Sequence, residues 1–182
     1  MSEDLRQEQI LVETAKHDPE AFGLLYERYF GRIYNYAYNH MGDQALAEDV
    51  TAQTFKQALE NFHRYEWRGV PFGAWLYRIA SNVIVGQHRK SRPSTPFEDA
   101  LETPQDSPTP EEAFLSIERN LELKAEVRRL PPAQAQAIVL RFAQNLSYLE
   151  IAQAIGRTEG AVKQLIHRGL VTLRENLKET AL

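Results

Sequence analysis

The chain has 182 residues, of which 43% are hydrophobic and 25% charged, and its formal net charge is −4. This length fits one domain or two small ones, and no apolar run approaches the ~20 residues that a membrane-spanning helix needs. The polar, acidic N-terminus is unlike a secretory signal, and the absence of cysteine excludes disulfides, thiol nucleophiles and cysteine-ligated zinc. The composition therefore predicts a cytoplasmic protein without membrane insertion.

The acidic charge is concentrated in one short segment. Residues 93–115 carry six acidic side chains and no basic ones, whereas residues 1–92 have a net charge of −1 and residues 116–182 a net charge of +3. Five prolines lie from Arg92 to Pro110, where they disfavour both helix and inner strand. We therefore predict an acidic, flexible linker over 93–115 between two small domains, and the basic second domain favours a nucleic acid or another charged partner.

The first domain has the pattern of successive helices. Asp18 is a typical helix cap, and apolar residues then recur at helical spacing up to Gly42, which ends this helix. Asp43 caps the next helix. After an irregular run over 61–70, a further helix is predicted from Pro71 to about Lys90. No alternation of period two indicates a sheet.

The second domain also has a helical pattern. A helix is predicted over 110–130, and Pro131-Pro132 opens the next one. The segment from Ser147 to Glu150 forms a capping box, and Gly156 supplies a left-handed turn residue. Thr158 caps a final helix that ends near residue 178. The predicted fold class is therefore all-α, with two small helical domains.

Residues 147–178 have the spacing of a helix-turn-helix, in which two helices are separated by a short glycine-containing turn. The apolar residues that would hold the two helices together are Ile151, Ala152, Ile155, Val162, Leu165 and Ile166. The exposed face of the second helix then carries Lys163, Gln164, His167 and Arg168. Arginine can bond guanine at two acceptors, glutamine can pair with adenine, and lysine neutralises phosphate. The alternative is an antiparallel helix pair whose exposed face is merely basic.

The irregular run and the helix after it mix aromatic rings with arginine and asparagine. This composition suits unpaired nucleotides, because rings stack on bases while arginine and amide groups hold the backbone and base edges. The candidate residues are Asn61, Phe62, His63, Arg64, Tyr65, Trp67, Arg68, Trp75, Arg78, Asn82, His88, Arg89 and Lys90. The alternative is that the rings pack in the core and that the basic helix end only complements the helix dipole.

Acidic side chains cluster at the start of the helix that follows Gly42. No histidine lies at metal-ligand spacing from Asp43, Glu48 and Asp49, and no nucleophile is nearby. Two interpretations follow: the acids are solvated charges at the start of a helix, or they dock onto a basic protein surface. No phosphate-binding loop, dinucleotide fingerprint or HExxH motif occurs, and the histidines are dispersed. We therefore expect no cofactor, no metal site and no enzymatic activity.

Five sequence blocks, in this order, resemble the extracytoplasmic-function (ECF) group of bacterial RNA polymerase sigma factors, in the sigma-70 family. They are AFGLLYERYFGRIYNYA, GDQALAEDVTAQTF, GVPFGAWLYRIASNV, LPPAQAQAIVLRF and LSYLEIAQAIGRTEGAVKQLIHRGLVTLR. The resemblance covers about residues 8–92 and 116–178. It implies that residues 1–92 are sigma region 2 and residues 116–182 are sigma region 4. Such a factor binds core polymerase, recognises a promoter with both domains and performs no chemistry itself.

The resemblance implies a role for each candidate group. Contacts with the clamp helices of the polymerase largest subunit are implied for Asp43, Glu48, Asp49, Gln53 and Thr54. The run over 61–68 resembles the loop that captures a flipped base of the promoter −10 element, and the helix that follows resembles the one lining the melted strand. The final helix resembles the one that binds the −35 element, with the contacts Arg157, Thr158, Lys163, Gln164, His167 and Arg168. The acidic linker resembles the segment threaded through the polymerase cleft.

The implied partners are core RNA polymerase, through its clamp helices and flap region, promoter DNA, and an anti-sigma factor. Two glycines depart from the family pattern, since Gly86 stands where many members have an acid and Gly169 where alanine is common. Two other interpretations stay open: a helix-turn-helix regulator that binds operators as a symmetric dimer, and an adaptor that binds polymerase without opening promoters. The acidic linker and the aromatic run argue against the dimeric regulator, because neither has a role there.

Overall fold

The computed structural model describes residues 3–90 and 121–180. The first range contains α1 (Glu3–Ala15), α2 (Pro19–Met41), α3 (Gln44–Asn61), a 3-10 turn (Phe62–Arg64) and α4 (Gly73–Lys90). The second contains α5 (described over 121–129), α6 (Pro132–Ile138), a π-helical turn (Val139–Ala143), α7 (Tyr148–Ile155) and α8 (Glu159–Thr180). Neither range contains a strand, which confirms the all-α prediction, and the predicted linker over 93–115 lies outside the described residues. Within the two ranges, no helix combines the length and the apolar character that crossing a membrane requires.

The predicted helix ends of the N-terminal half, residues 3–90, are confirmed. The Asp18 carboxylate accepts a hydrogen bond from the amide of Glu20 at 2.9 Å, and Asp43 caps α3 by accepting from the amide of Leu46 at 2.8 Å. Gly42 ends α2 with a φ of 66°, a left-handed conformation that glycine adopts without a steric cost. The restart predicted at Pro71 occurs two residues later, since α4 begins at Gly73.

The C-terminal half, residues 121–180, shows the predicted helix-turn-helix. Ser147 and Glu150 form the capping box, with the Ser147 hydroxyl accepting from the Glu150 amide and the Glu150 carboxylate accepting from the Ser147 amide. Gly156 has a φ of 66° and ends α7, and the Thr158 hydroxyl accepts from the amide of Ala161 at the start of α8. The helix predicted over 110–130 is described only from residue 121. The π-helical turn after α6 was not predicted.

α2 is the central helix of the N-terminal half and packs against α1, α3 and α4. Leu25, Ile33 and Tyr36 line its inner face and have no exposed surface. Burying an apolar side chain of this size contributes about 1.5–3 kcal/mol relative to leaving it in water. The hydroxyls of Tyr36 and Ser81 share a buried hydrogen bond of 2.8 Å, which joins α2 to α4.

The two halves pack against each other through α4 and α7, and one cluster of buried side chains runs through both. Tyr77 on α4 is 2% exposed and donates its hydroxyl proton to the side-chain oxygen of Gln144 at 2.9 Å. Burial raises the pKa of Tyr77, while Arg32 on α2 lowers it and Glu150 on α7 raises it, so groups from both halves surround this ring. We refer to this packing of α4 on α7 as the closed arrangement.

Candidate nucleic-acid interface

Two of the predicted aromatic contacts are core residues. Phe62 is 4% exposed and lies between the rings of Phe22 and Phe72, with centroids 5.1 and 5.7 Å away. Tyr65 is 7% exposed, and burial raises its pKa to about 12, so its hydroxyl is neutral at physiological pH. For these two rings the structure therefore agrees with the core interpretation.

The other residues of the same group form an open surface around the start of α4. The exposed members are Asn61, His63, Arg64, Arg68, Arg78 and Asn82, and the half-buried ones are Trp67 and Trp75. The Trp75 ring lies 4.7 Å from the ring of Tyr65, and because the side chain is only half-buried, part of the indole is open to solvent. The Trp67 indole Nε1 is buried and has no hydrogen-bond partner within the described ranges. The side chains of His88, Arg89 and Lys90 lie outside the described residues.

A cavity of about 300 Å³ brings six of the thirteen predicted −10 contacts together. It is lined by Gln57 and Ile79 together with six predicted contacts, namely Asn61, Arg64, Tyr65, Trp75, Arg78 and Asn82. This volume lies at the small end of the range for ligand pockets. Ring faces, guanidinium groups and amide side chains surround it, which is the set of groups that can stack on a base and bond its edge.

The helix-turn-helix presents its predicted face to solvent. Lys163, Gln164, His167 and Arg168 are all exposed, because positions three and four residues apart share one side of α8. The Lys163 ammonium lies 5.4 Å from the ring centroid of Tyr148, a cation–π contact with α7. Arg157 and Thr158 are exposed in the turn. Of the six apolar residues predicted to join the helices, four are buried and the remaining two, Ile155 and Leu165, are half-buried.

Four of the five predicted polymerase contacts are accessible on α3 and its cap. Asp43, Glu48 and Asp49 are exposed and Gln53 is half-buried. Asp49 accepts hydrogen bonds from Gln53 and from Gln87 on α4, both at 2.7 Å, so its carboxylate is held in place. Thr54 has no exposed surface and donates its hydroxyl proton to the carbonyl of Val50. The structure therefore gives Thr54 a packing role and does not place it on this face.

Two features of the structure were not predicted from the sequence. An aromatic ladder runs along α2 at four-residue spacing and consists of Tyr26, Phe30, Tyr34 and Tyr38, with successive centroids 5.3–6.5 Å apart. Tyr26 and Phe30 are each 40% exposed and also contact Phe55 on α3. The four-residue spacing could have revealed the ladder. The second feature is the buried carboxylate of Glu8, for which the sequence carries no local signal.

The comparisons with known proteins agree with this geometry. Sigma-70 region 2 matches residues 25–93, and Sigma-70, region 4 matches residues 120–173. The ECF RNA polymerase sigma factor SigL of Mycobacterium tuberculosis is 31% identical over 161 residues, which are 85% of this chain and 88% of SigL. The chain belongs to the ECF RNA polymerase sigma factors. The sigma-factor resemblance seen in the sequence is therefore confirmed.

Two further ECF relatives cover almost the whole chain. BldN of Streptomyces coelicolor is 37% identical over 94% of this sigma factor, which spans 66% of the length of BldN. SigW of Bacillus subtilis is 29% identical over 93% of the chain and 95% of SigW. The chain has the fold of CnrH, solved in complex with the cytosolic domain of CnrY, with a TM-score of 0.72 at 24% identity over 94% of this chain and 97% of that one. RpoE, solved in complex with the anti-sigma factor NepR from Bartonella quintana, has a TM-score of 0.66 to this chain at 24% identity. The match covers 86% of this chain and 96% of RpoE.

In the closed arrangement of this sigma factor, one cavity brings predicted −10 contacts next to Arg157 and Thr158 of the predicted −35 contacts, whereas the exposed face of α8 is not part of its wall. The cavity has a volume of about 540 Å³. Its wall includes Trp75 and four arginines, three from the N-terminal half and one from the turn before α8, namely Arg64, Arg68, Arg78 and Arg157. None of these guanidinium groups forms an ion pair with a carboxylate in the described parts of the chain. The wall also includes two carboxylates, Glu66 and Glu159, so the four arginines leave an excess of positive charge that suits an anionic partner.

Proposed function

We propose that this sigma factor binds core RNA polymerase, recognises the promoter −35 element with α8 and holds the melted −10 element against α4 and the segment before it. This segment, called the loop over 61–72, runs from the last residue of α3 through the 3-10 turn to the start of α4. The observation that carries the proposal is the cavity of about 300 Å³, where six residues predicted from the sequence converge, Trp75 among them. Sigma factors are initiation factors, and the polymerase makes the phosphodiester bonds. The work of this chain is therefore to bind and position DNA, in the cytoplasm where the polymerase acts.

Recognition of the −35 element rests on the exposed face of α8. A recognition helix enters the major groove with its N-terminal residues against the base edges, and Lys163, Gln164, His167 and Arg168 occupy the first turns of α8. Arginine and glutamine can each make two hydrogen bonds to one base, worth about 1–3 kcal/mol of discrimination. Thr158 uses its hydroxyl to cap the helix, so its contribution is to fix the start of α8.

Capture of the −10 element rests on the surface at the start of α4. Trp75 offers a partly open ring for stacking, which is worth about 1–3 kcal/mol per base. Arg64, Arg78 and Asn82 line the same cavity and can hold phosphate and base edges. Trapping an unpaired base offsets the cost of unstacking it, which favours melting at this element. Phe62 and Tyr65 support this surface from below, because both rings are buried.

Polymerase docking rests on the acidic face of α3. Asp43, Glu48, Asp49 and Gln53 are accessible there and suit a basic surface on the clamp helices of the largest subunit. The C-terminal half would engage the flap region, and the acidic linker over 93–115 would occupy the polymerase cleft. Because relatives of this fold are solved with CnrY and with the anti-sigma factor NepR, we also propose an anti-sigma partner for this chain.

Promoter recognition requires the closed arrangement to open. The −35 and −10 elements are about 25 base pairs apart, which is about 85 Å at the rise of B-form DNA. In the closed arrangement, residues proposed for both elements line one cavity. The two halves must therefore separate before both elements can be bound at once.

The test is run-off transcription with purified chain, bacterial core polymerase and a pool of fragments from the source genome. We expect discrete transcripts that require both protein components. Arg78→Ala and Lys163→Ala should lower their yield, whereas Arg174→Ala, which removes an exposed cation farther along α8, should not. Polymerase binding without transcripts would favour the adaptor, and a shift of duplex DNA without polymerase would favour the dimeric regulator.

A further inference from the structure

Glu8 on α1 is a buried acid with partners on two other elements. It is 4% exposed, and its Oε1 accepts the hydroxyl proton of Tyr29 on α2 at 2.5 Å. Its Oε2 accepts the backbone amide of Phe72 at 3.0 Å, and a guanidinium nitrogen of Arg28, whose side chain is half exposed, lies 3.5 Å away. Both carboxylate oxygens are therefore committed to donors that lie outside α1.

A carboxylate is a costly way to pack a helix. Removing a charge from water carries a free-energy penalty, which an apolar side chain at the same position would avoid. The penalty is offset here by hydrogen bonds to the charged acceptor, each stronger than a neutral bond. α1 also precedes residues 25–93, over which Sigma-70 region 2 matches. The hydrogen bonds of the carboxylate join α1 to Tyr29 on α2 and to the amide of Phe72.

The group that Glu8 holds is the junction between the loop over 61–72 and α4. The Phe72 amide precedes the first turn of α4, where the carbonyl of Pro71 accepts from the amide of Ala74 and the carbonyl of Phe72 accepts from the amides of Trp75 and Leu76. An amide at this position has no partner within the helix and needs one from elsewhere. Glu8 supplies that partner from a residue 64 positions away in the sequence.

Tyr29 reinforces the same junction from the side. A Cβ on Gly73, the first residue of α4, would lie 2.5 Å from the ring of Tyr29, so the ring and the α4 backbone are in close contact. Burial raises the pKa of Tyr29, and the neighbouring Glu8 raises it further, which keeps the hydroxyl protonated as a donor. Glu8, Tyr29 and the junction therefore form one connected unit.

We propose that Glu8 is a positioning residue for promoter melting: through Tyr29 and the Phe72 amide it fixes the first turn of α4 and so the placement of Trp75 beside the loop over 61–72. This inference rests on the proposed function, because it assigns Glu8 to the −10 surface. Trp75 lies three residues after Phe72, within the turn that the amide bond anchors. A tilt of that turn would move the indole and Arg78 relative to Arg64 and Asn61.

The test uses Glu8→Gln, with Glu13→Gln as the matched control. Glutamine keeps the shape but turns an NH2 group toward one of the two donors, so one hydrogen bond is lost. Glu13 lies on the same helix, is exposed and pairs only with Lys16 in the described chain. The affinity of each variant chain for core polymerase is measured first. The holoenzyme formed with each variant is then tested for binding of a single-stranded −10 oligonucleotide, taken from a promoter mapped by run-off transcription.

We expect Glu8→Gln to weaken oligonucleotide binding about tenfold while its core affinity stays within about twofold of Glu13→Gln. Equal oligonucleotide binding by the two variants would overturn the proposal, and a parallel loss of core affinity would show that Glu8 is only structural. Amide hydrogen exchange of the free chain supplies a readout independent of transcription. Exchange at Phe72 and across the loop should rise in Glu8→Gln, and unchanged exchange would refute the positioning role even if the proposed function itself failed.

Discussion

Tyr77→Phe is expected to open the closed arrangement while leaving each half intact. The substitution removes one oxygen and keeps the ring, so the buried apolar surface of α4 is preserved. What is lost is the 2.9 Å hydrogen bond to Gln144, which joins the two halves. Because both elements of a promoter cannot be bound in the closed arrangement, weakening this bond should also ease promoter binding.

The size of the effect follows from the environment of the bond. A neutral hydrogen bond contributes about 0.5–1.5 kcal/mol net, and the lower part of that range applies when the released partner can reach water. Gln144 is half-buried, so its amide oxygen can be hydrated in the variant. We therefore expect a loss of about 0.5–1 kcal/mol, which shifts the ratio of open to closed chains about two- to fivefold toward open.

Fluorescence energy transfer between the halves measures this ratio. The chain contains no cysteine, so Lys56→Cys on α3 and Arg174→Cys on α8 place one dye on each half. Tyr36→Phe is the matched control, since its hydroxyl bonds Ser81 within the N-terminal half. The transfer efficiency should fall in Tyr77→Phe and stay unchanged in Tyr36→Phe. Equal efficiencies in the two variants would refute the role given to the Tyr77–Gln144 bond.

Three further predictions concern stability. Gly86→Ala should stabilise the protein by about 0.5–1 kcal/mol, since a Cβ there meets nothing within 4 Å. Gly169→Ala should stabilise less, since the new Cβ would lie 2.5 Å from Cδ1 of Ile138 and the end of that side chain would have to move. Urea unfolding in which both variants are stabilised equally would contradict this. Ser147→Ala should cost about 1 kcal/mol through the lost capping box, and an unchanged unfolding midpoint would contradict the cap assignment. The pKa of Tyr65 is about 12 in the folded chain and near its ordinary value of 10.0 in the unfolded chain, so the stability present below pH 10 should be lost between pH 10 and 12. Ultraviolet titration of Tyr65→Phe beside the parent chain identifies the ionisation of this tyrosine. A titration midpoint near pH 10 for Tyr65 in the folded chain would be inconsistent with its burial.

The helix ends could be predicted because their signals are local. Asp18, Gly42 and Ser147 act on groups no more than four residues away, so the sequence contains both partners of each cap. The exposed face of α8 was predictable for the same reason, since helical periodicity alone sorts buried positions from exposed ones. The surroundings of Gly169 are not local in this sense, because a Cβ there would lie 2.5 Å from Cδ1 of Ile138 on α6.

The burial of the aromatic run could not be predicted from the same kind of signal. Phe62 and Tyr65 are in a segment without periodicity, and whether a ring points inward depends on Phe22 and Phe72, which reach it only through the tertiary fold. The role of Glu8 depends on an amide 64 residues away. Long-range contacts of this kind place the loop and α4, so the candidate site was predicted as a set of residues and not as a geometry.

Permanganate footprinting on one mapped promoter is the decisive measurement, because it detects unpaired thymines at the −10 element. The parent chain with core polymerase should make these thymines reactive. Arg78→Ala should lose permanganate reactivity at the −10 element while DNase I footprinting of the same complex still shows protection of the −35 element. Arg168→Ala should lose that DNase I protection. If core polymerase with the parent chain leaves the promoter unreactive, or if Arg78→Ala melts it as well as the parent does, the division of promoter recognition between α4 and α8 is wrong.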